Sequence, residues 1–163
     1  MPGFKDGNSN QAEFSAPSSI LLSQDHKTLY VSDSGNNALR AVHLDDACRV
    51  TTLCGVSGSG QVDGAPDVAR LKRPGRLRLS ADGRTLYFLD QAGLALRSMD
   101  LLSGTVRTVL DLVTPTASQG SPSFDLDTAQ KGIYFTVPAR NALLYSSLDG
   151  KVTRTVGTDP LYG

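Results

Sequence analysis

The sequence predicts an all-β protein built from repeated four-stranded antiparallel units. Two observations lead to this fold class. A set of unlike motifs recurs in one order, so that Asp6-Gly7 returns as Asp63-Gly64, 57 positions further on. No stretch of about ten residues places apolar side chains at the i, i+3, i+4, i+7 spacing of an amphipathic helix. With 163 residues, 39% of them hydrophobic, the chain can bury the core of a single domain.

The first copy of the repeat runs from about residue 6 to about residue 55 and holds five features in a fixed order. They are Asp6-Gly7, Phe14-Ser15-Ala16-Pro17, Leu29-Tyr30-Val31-Ser32-Asp33, Ala38-Leu39-Arg40 and Val50-Thr51-Thr52-Leu53. Because these features differ in chemistry, their recurrence in one order indicates a true structural repeat.

The second copy, from about residue 60 to about residue 110, repeats all five features. They are Asp63-Gly64, Leu71-Lys72-Arg73-Pro74, Leu86-Tyr87-Phe88-Leu89-Asp90, Ala95-Leu96-Arg97 and Val106-Arg107-Thr108-Val109. A third and more divergent copy is predicted over residues 116–157. Its recognisable segments are Phe124-Asp125-Leu126, Gly132-Ile133-Tyr134-Phe135-Thr136, Ala142-Leu143-Leu144 and Val152-Thr153-Arg154-Thr155-Val156-Gly157. It lacks the Asp-Gly start, and Val137 stands where the other copies have Asp33 and Asp90.

Each copy contains four short strand signals separated by turn residues. In the first strand apolar residues alternate, as in Ile20 and Leu22 and again in Leu77 and Leu79, which is typical of a strand buried on one side. The second strand is a β-branched or aromatic run. The turn signals are Asp25-His26, Asp82-Gly83, Ser34-Gly35-Asn36-Asn37 and Asp149-Gly150. Gly and Asn accept positive φ, and Asp caps a turn with its carboxylate.

These motifs together resemble the NHL-repeat family. A blade of that family looks like a loop with Asp-Gly, a Phe-x-x-Pro segment, a Leu-Tyr-Val-x-Asp strand, a Gly-Asn-x-x-Ile-Arg segment and a Val-Thr-Thr-Leu-x-Gly end. The first copy matches nearly throughout, including Gly35-Asn36-Asn37-Ala38-Leu39-Arg40 and the final Cys54-Gly55. The second departs at Gln91-Ala92-Gly93, and the third keeps its apolar residues and Arg140-Asn141-Ala142-Leu143. The resemblance implies a β-propeller, with three blades forming half of a ring of about six.

Three blades cannot close a ring, because blades pack face to face and the two outer faces stay open. Two alternatives follow. Two copies could pair about a two-fold axis and complete a ring of six, or the chain could be a piece of a longer one. The second alternative draws on the chain's beginning, since its first loop, Gly3-x-x-Asp6-Gly7, matches Gly60-x-x-Asp63-Gly64. Self-association is expected in either case.

Four charged residues recur at the repeat period and are interpreted as structural. Arg40 and Arg97 share one position and are expected to tie one blade to a turn of its neighbour through charge-assisted hydrogen bonds. Asp33 and Asp90 share another and are expected to accept backbone N–H bonds in the turn that follows the second strand.

The most unusual segment, residues 70–78, carries five cations that are absent from the first copy. They are Arg70, Lys72, Arg73, Arg76 and Arg78. Lying at the start of an innermost strand, they are candidates for an anion-binding rim that takes RNA phosphates or an acidic peptide. The segment contains no aromatic residue that could stack on bases, which weakens the RNA interpretation. The alternative is a solvated loop paired with nearby acids.

Charge balance, histidines and glycines exclude several other classes of site. Sixteen basic residues balance sixteen acidic ones, so no global field recruits nucleic acid or anionic lipid. His26 and His43 lie in unrelated places and predict neither a metal site nor a catalytic triad. The glycine-rich residues 55–60 lack the Lys-Ser/Thr end and the following helix of a phosphate loop. No cofactor is predicted.

Cys48 and Cys54 would lie about 20 Å apart across an extended strand, too far for a disulfide. They are expected to be free thiols, which favours a reducing compartment. The sequence contains no run of about 18 apolar residues, so it predicts no membrane-spanning helix. Residues 1–7 do not look like a secretory leader. A cytoplasmic location is the resulting expectation.

The expected function is that of a non-enzymatic scaffold, with the propeller rim holding a protein partner. One alternative is RNA or anion binding through the basic rim. A second is a hydrolase or lyase whose site is completed by blades outside this sequence, as in the NHL-like lyases that gather ligands from many blades. Fold by itself does not decide among these functions.

Overall fold

A computed structural model describes residues 2–45, 47–56, 58–90, 95–111, 122–127, 131–137, 142–148 and 153–156. It confirms the all-β prediction. The described residues form three four-stranded antiparallel sheets, each with its strands in sequence order. The one helical piece among them is a single 3-10 turn at Ser34–Asn36. The predicted features at residues 91–93, 140–141 and 149–150 lie outside the described residues. Among the positions that are described, no helix has the length and apolar character needed to cross a bilayer.

Every sheet is a meander of four strands, which we call blades 1, 2 and 3. Blade 1 contains β1 (Pro17–Leu22), β2 (Thr28–Asp33), β3 (Ala38–His43) and β4 (Val50–Cys54). Blade 2 contains β5 (Pro74–Leu79), β6 (Thr85–Asp90), β7 (Ala95–Asp100) and β8 (Val106–Asp111). Blade 3 contains β9 (Phe124–Leu126), β10 (Gly132–Val137), β11 (Ala142–Ser147) and β12 (Thr153–Val156).

Strand pairing keeps one register in all three blades. Ile20 pairs with Val31, Leu77 with Phe88 and Phe124 with Phe135, in the first and second strands of successive blades. Ile20, Leu77 and Phe124 are therefore equivalent positions. Because side chains alternate between the two faces of a strand, the shared register also assigns every equivalent residue to the same face of its blade.

The blades pack face to face and form two buried cores. Between blades 1 and 2, Leu39 and Cys54 meet Leu77, Phe88 and other blade 2 residues. The second core lies between blades 2 and 3. Its buried members are Leu89, Leu96, Phe124, Ile133, Phe135 and Val137. The first strands approach one another, β1 against β5 and β5 against β9. The apolar faces at these two junctions are thus buried by the neighbouring blade rather than by a helix layer.

The turn between the first two strands has the same construction in blades 1 and 2. The Ser23 hydroxyl lies 2.6 Å from the Asp25 carboxylate, as Ser80 lies 2.6 Å from Asp82. His26 stands where Gly83 does and adopts the same left-handed backbone, with φ of 59° and 70° respectively. The carboxylate cap therefore holds this turn shape even where the glycine is replaced.

A fully buried arginine organises each of the first two blades. In blade 2, Arg97 is completely buried and donates to Asp90 at 3.0 Å and to Asp63 at 2.8 Å. It also donates to the carbonyl oxygens of Val62 and Arg70, both at 2.7 Å. We call Asp63, Asp90 and Arg97 the Asp–Arg–Asp cluster of blade 2.

The Asp–Arg–Asp cluster of blade 1 consists of Asp6, Asp33 and Arg40 with the same bonds, Arg40 to Asp6 at 2.7 Å and to Asp33 at 2.8 Å. The Arg40 guanidinium also lies 5.0 Å from the ring centres of both Phe4 and Phe14. Such cation–π contacts add to the attraction inside a site from which water is excluded.

The clusters correct two details of the sequence interpretation. Arg40 and Arg97 bind the segment that precedes the first strand of their own blade, not a turn of the neighbouring blade. Asp33 and Asp90 do accept a backbone N–H, but the donor lies in that same preceding segment. For Asp33 it is Ser15, at 2.7 Å, and not a residue of the following turn. The preceding segment passes over the ends of the second and third strands, so it is the nearest backbone to the buried charges.

Blade 3 lacks both partners of the buried ion pair. By register Leu144 occupies the arginine position, since it pairs with Phe135 as Arg97 pairs with Phe88. Val137 occupies the aspartate position, and both residues join the core between blades 2 and 3. Replacing a buried ion pair with apolar side chains is tolerated when both members change together. The third repeat has therefore lost the arginine and the aspartate together, and neither charge is left buried without its partner.

We predict that Arg97→Ala lowers the free energy of unfolding by about 3–5 kcal/mol, because Asp90 would remain buried without its counter-charge. Arg107→Ala removes an exposed arginine from β8 and should change stability by less than about 0.5 kcal/mol. Urea titration followed by circular dichroism measures both values. A loss below about 1 kcal/mol for Arg97→Ala would show that the cluster does not hold the blade.

The outer carboxylates should make stability depend on pH. Burial acts to raise the pKa of Asp6 and Asp63, but the N–H and hydroxyl of Thr52 or Thr108 and the arginine outweigh it and lower the pKa below the ordinary value of 3.8. A carboxylate with a lowered pKa stabilises the fold above its ordinary pKa and loses this effect as pH falls through the folded value. The Asp6→Asn/Asp63→Asn variant should therefore be less stable than the parent chain at neutral pH, with the gap closing below about pH 4. Urea titrations across this pH range measure the difference in free energy of unfolding between the two chains. A difference that does not change with pH would contradict the lowered pKa of Asp6 and Asp63.

Candidate functional site

The junction between blades 1 and 2 carries a groove of about 610 Å³, which we call the junction groove. It is lined by Ala16, Ser18, Ser34, Gly35, Asn37, Ser59, Lys72 and Arg73. A volume of this size suits a small ligand or a few residues of a peptide. Lys72 and Arg73 belong to the basic residues 70–78, so the groove contains part of the site expected from sequence.

Two backbone hydrogen bonds hold the cationic wall in place. The N–H of Lys72 donates to the buried carboxylate of Asp90 at 2.8 Å, and the N–H of Arg73 donates to the side-chain oxygen of Asn37 at 2.9 Å. The first bond joins the groove to the Asp–Arg–Asp cluster of blade 2. The second reaches across from blade 1. The loop is therefore fixed from both blades while its two side chains stay exposed.

The opposite wall presents hydroxyl groups. The hydroxyls of Ser18 and Ser34 lie 2.5 Å apart, and both donate to the carbonyl oxygen of Pro74 across the junction. Gly35 sits tightly against the segment before β1, where its N–H donates to the Ser15 carbonyl at 2.8 Å. A side chain at Gly35 would place its Cβ only 2.6 Å from that oxygen. The floor of the groove thus needs a glycine.

The groove can provide positive charge and hydrogen-bond donors. Within the part of the chain that the structure describes, the side chains of Lys72 and Arg73 form no ion pair and donate no hydrogen bond. The eight lining residues include no carboxylate, imidazole or thiol. Two cations beside serine hydroxyls suit an anion such as a carboxylate or a phosphate.

The remaining cations of residues 70–78 do not join the groove. Arg78 forms an ion pair with Asp125 of blade 3, with its Nε 2.7 Å from the carboxylate, so it ties two blades together. Arg76 is half-buried. Arg70 is exposed, and its aliphatic stem lies over Gly60. The sequence thus grouped five cations that the fold separates into a groove pair, an inter-blade bridge and two flanking residues.

The blade 1 half of the groove was not expected from sequence. Ser18, Ser34 and Asn37 lie more than thirty positions from Lys72, and small polar residues near turns are ordinary. The available signal was Asn37 in the predicted turn, because asparagine is enriched at left-handed backbone positions; its φ is 54° in the structure.

The cysteines and histidines offer no competing site. Both thiols are free, and burial raises the pKa of Cys54 to about 12, which makes it unreactive. The His43 ring lies 3.3 Å from the Thr51 hydroxyl on β4. Among the described positions, no three His, Cys, Asp or Glu side chains gather as potential metal ligands.

Comparisons with known proteins show the fold. No family model matches the sequence, and no curated protein matches it. Solved structures do match. A protein of unknown function from Bacteroides thetaiotaomicron superposes with a TM-score of 0.68 at 18% identity, over 98% of this chain and 38% of that one. A chain of a nidogen/laminin complex gives 0.65 at 16% identity, over 92% and 51%. Streptogramin B lyase gives 0.61 at 15% identity, over 94% and 44%.

The chain therefore spans about half or less of the length of these structures. At such low identity the likeness is one of fold alone. The three sheets are blades of a β-propeller.

Substitutions at Asn37 should separate its two contributions to the groove. Asn37→Gly keeps the left-handed backbone but removes the acceptor for the Arg73 N–H, with an expected cost of about 1 kcal/mol. Asn37→Ala should cost about 1 kcal/mol more, because a Cβ disfavours this backbone conformation. Urea titration of both variants gives the order. Equal stability of the two variants would mean that the positive φ carries no strain.

Proposed function

We propose that this chain is a segment of an NHL-repeat propeller that acts as a non-enzymatic scaffold. In this proposal the junction groove binds an acidic side chain or a C-terminal carboxylate of a protein partner. The observation that carries the proposal is the position of Lys72 and Arg73, exposed side by side at the edge of a polar groove. The match of the first copy to the NHL motifs supports the family assignment.

The electrostatics favour a local interaction. The chain has no net charge, so attraction of a distant polyanion is weak and binding depends on short contacts inside the groove. An arginine fork can take both oxygens of a carboxylate, with the lysine adding a point charge. The hydroxyl oxygens of Ser18 and Ser34, whose hydrogens are directed to Pro74, can accept hydrogen bonds from the N–H groups of the adjacent peptide backbone.

An acidic peptide fits this groove better than RNA does. None of the eight lining residues is aromatic, and stacking on aromatic rings supplies much of the affinity for single-stranded nucleic acid. With Arg78 engaged by Asp125, the row of cations needed to follow several phosphates is also interrupted. A propeller-like neighbour was crystallised as a nidogen/laminin complex, which supports a protein partner as a use of this fold.

Binding is also favoured over catalysis by the groove's chemistry. A hydrolase or lyase most often uses a histidine or a carboxylate as its general acid or base, and neither is among the eight residues that line the groove. The likeness to a lyase carries only the fold. The groove as described is suited to holding an anion.

Charge reversal in the groove should abolish binding of an acidic peptide. We predict that Lys72→Glu/Arg73→Glu weakens binding of a fluorescein-labelled oligo-glutamate peptide at least about tenfold, because two attractions become repulsions. The Arg84→Glu/Arg107→Glu variant makes the same change in net charge at two exposed residues of blade 2 that do not line the groove. It should bind within about twofold of the parent chain. Fluorescence anisotropy at fixed salt measures these affinities.

A labelled oligo-uridine of matched charge serves as the RNA probe in the same assay. Tighter binding of oligo-uridine than of oligo-glutamate, lost on the same charge reversal, would replace the protein partner with RNA. Equal losses in the groove variant and the control variant would remove the groove as the site.

A further inference from the structure

Blade 1 leaves its first strand exposed on the face that its two sister blades bury, although Val31 of the second strand is already buried there. Leu77 and Phe124, equivalent to Ile20 by register, are 1% and 2% exposed because the preceding blade covers each of them. Ile20 is 66% exposed. Leu22, two residues on and therefore on the same face, is also exposed. This face of blade 1 is the surface that receives a preceding blade, and we call it the receiving face.

Blade 3 leaves the opposite face uncovered. Tyr30, Tyr87 and Tyr134 occupy one position by register, each in the second strand of its blade. Tyr30 packs against the core between blades 1 and 2, and Tyr87 against the core between blades 2 and 3. Tyr134 is 42% exposed. The same tyrosine that seals two internal junctions is therefore presented to solvent at the end of blade 3.

Apolar neighbours extend the surface around Tyr134. The ring of Tyr145, which pairs with Tyr134 across the sheet, has its centre 5.0 Å away. Leu143 and Val156, which pair with each other on the same face, are exposed. We call this surface of blade 3 the delivering face, since its equivalents in blades 1 and 2 pack onto the next blade.

We propose that two copies of this chain assemble into a closed ring of six blades. The delivering face of each copy packs on the receiving face of the other, so that Tyr134 of one protomer meets Ile20 of its partner. The two junctions are equivalent and related by a two-fold axis, which leaves no blade face open.

The internal junctions supply the argument for a second copy as the occupant. The receiving and delivering faces are the two halves of a junction that the molecule already forms twice, with the same repeat positions on each side. The three blades described here cannot close a ring by themselves. A second copy provides both a delivering face for blade 1 and a receiving face for blade 3. Because the chain has no net charge, two copies do not repel each other through their overall charge.

The size of the contact is sufficient for a stable dimer. With strands about 4.8 Å apart and about 3.3 Å of strand per residue, the sheet of blade 1 covers roughly 360 Å². The sheet of blade 3, whose first and last strands are shorter, covers roughly 300 Å². Two junctions join two faces of each kind, roughly 1,300 Å² in total, which lies within the range of specific interfaces.

The first test is the solution mass of the chain by light scattering between about 1 and 100 μM, a range in which interfaces of this size associate. The expected mass is twice that of the chain. Ile20→Asp and Tyr134→Asp should each raise the dissociation constant of the dimer at least about tenfold, because each places a charge in an apolar junction. Leu102→Asp is the matched control, since Leu102 is 97% exposed on the turn between β7 and β8, and it should leave the dimer unchanged.

Mixing the variants distinguishes the ring from other dimers. An Ile20→Asp copy keeps its delivering face, and a Tyr134→Asp copy keeps its receiving face, so one mixed pair contains one intact junction. The mixture should therefore dimerise more tightly than either variant by itself. A monomer at every concentration, larger open oligomers, or a dimer that Ile20→Asp weakens but Tyr134→Asp and mixing do not affect would each overturn the six-bladed ring.

Discussion

The structure of each complete blade depends on one buried guanidinium. Arg40 and Arg97 lie beneath the sheet ends with no exposure to water, and each meets two carboxylates and two carbonyl oxygens. The outer aspartate of each cluster continues to the fourth strand, through the backbone and hydroxyl of Thr52 or Thr108. A cation buried in this way needs its counter-charges in place, so the segment before the blade and its second, third and fourth strands are held in one arrangement.

The same cluster positions the candidate binding groove. One oxygen of Asp90 binds Arg97, and the other accepts the N–H of Lys72. Because Arg97 holds the Asp90 carboxylate in place, the bond from Asp90 also holds the loop that presents Lys72 and Arg73. The loop backbone therefore needs no ordering when a ligand binds. Preorganisation of this kind reduces the entropic cost of binding. The charges of the Asp–Arg–Asp clusters are thus paired inside the blades, whereas the side chains of Lys72 and Arg73 at the groove are exposed and can bind a ligand.

Blade 3 shows what remains when the cluster is absent. Leu144 and Val137 replace the arginine and the aspartate and enlarge the apolar core against blade 2. An ion pair between blades, Arg78 with Asp125, lies at the edge of the same junction. The stack of blades continues because face-to-face burial, rather than any one polar contact, is the common requirement. That requirement is met on both faces of blade 2 and on one face of each outer blade.

The class of fold follows from local patterns in the sequence. Fixed spacing of unlike motifs, alternation in the first strand and Gly or Asn at the turns are local properties, and together they predicted repeated four-stranded units. The recurrence of Arg40 with Arg97 and of Asp33 with Asp90 also indicated structural roles. The partners of these charges were not predictable in detail, since Asp6 and Asp63 recur at the repeat period but lie 34 positions from the arginines that they bind.

Which of the five cations at residues 70–78 share a site depends on how the blades stack. Neighbours along an extended segment point to different faces, so Arg78 reaches blade 3 while Arg73 reaches the groove beside blade 1. The groove combines residues from two repeats, and its composition follows from how one sheet is stacked on the next. The exposure of Ile20 and Tyr134 has the same origin, because a repeat specifies a face and only the stacking determines whether that face is covered.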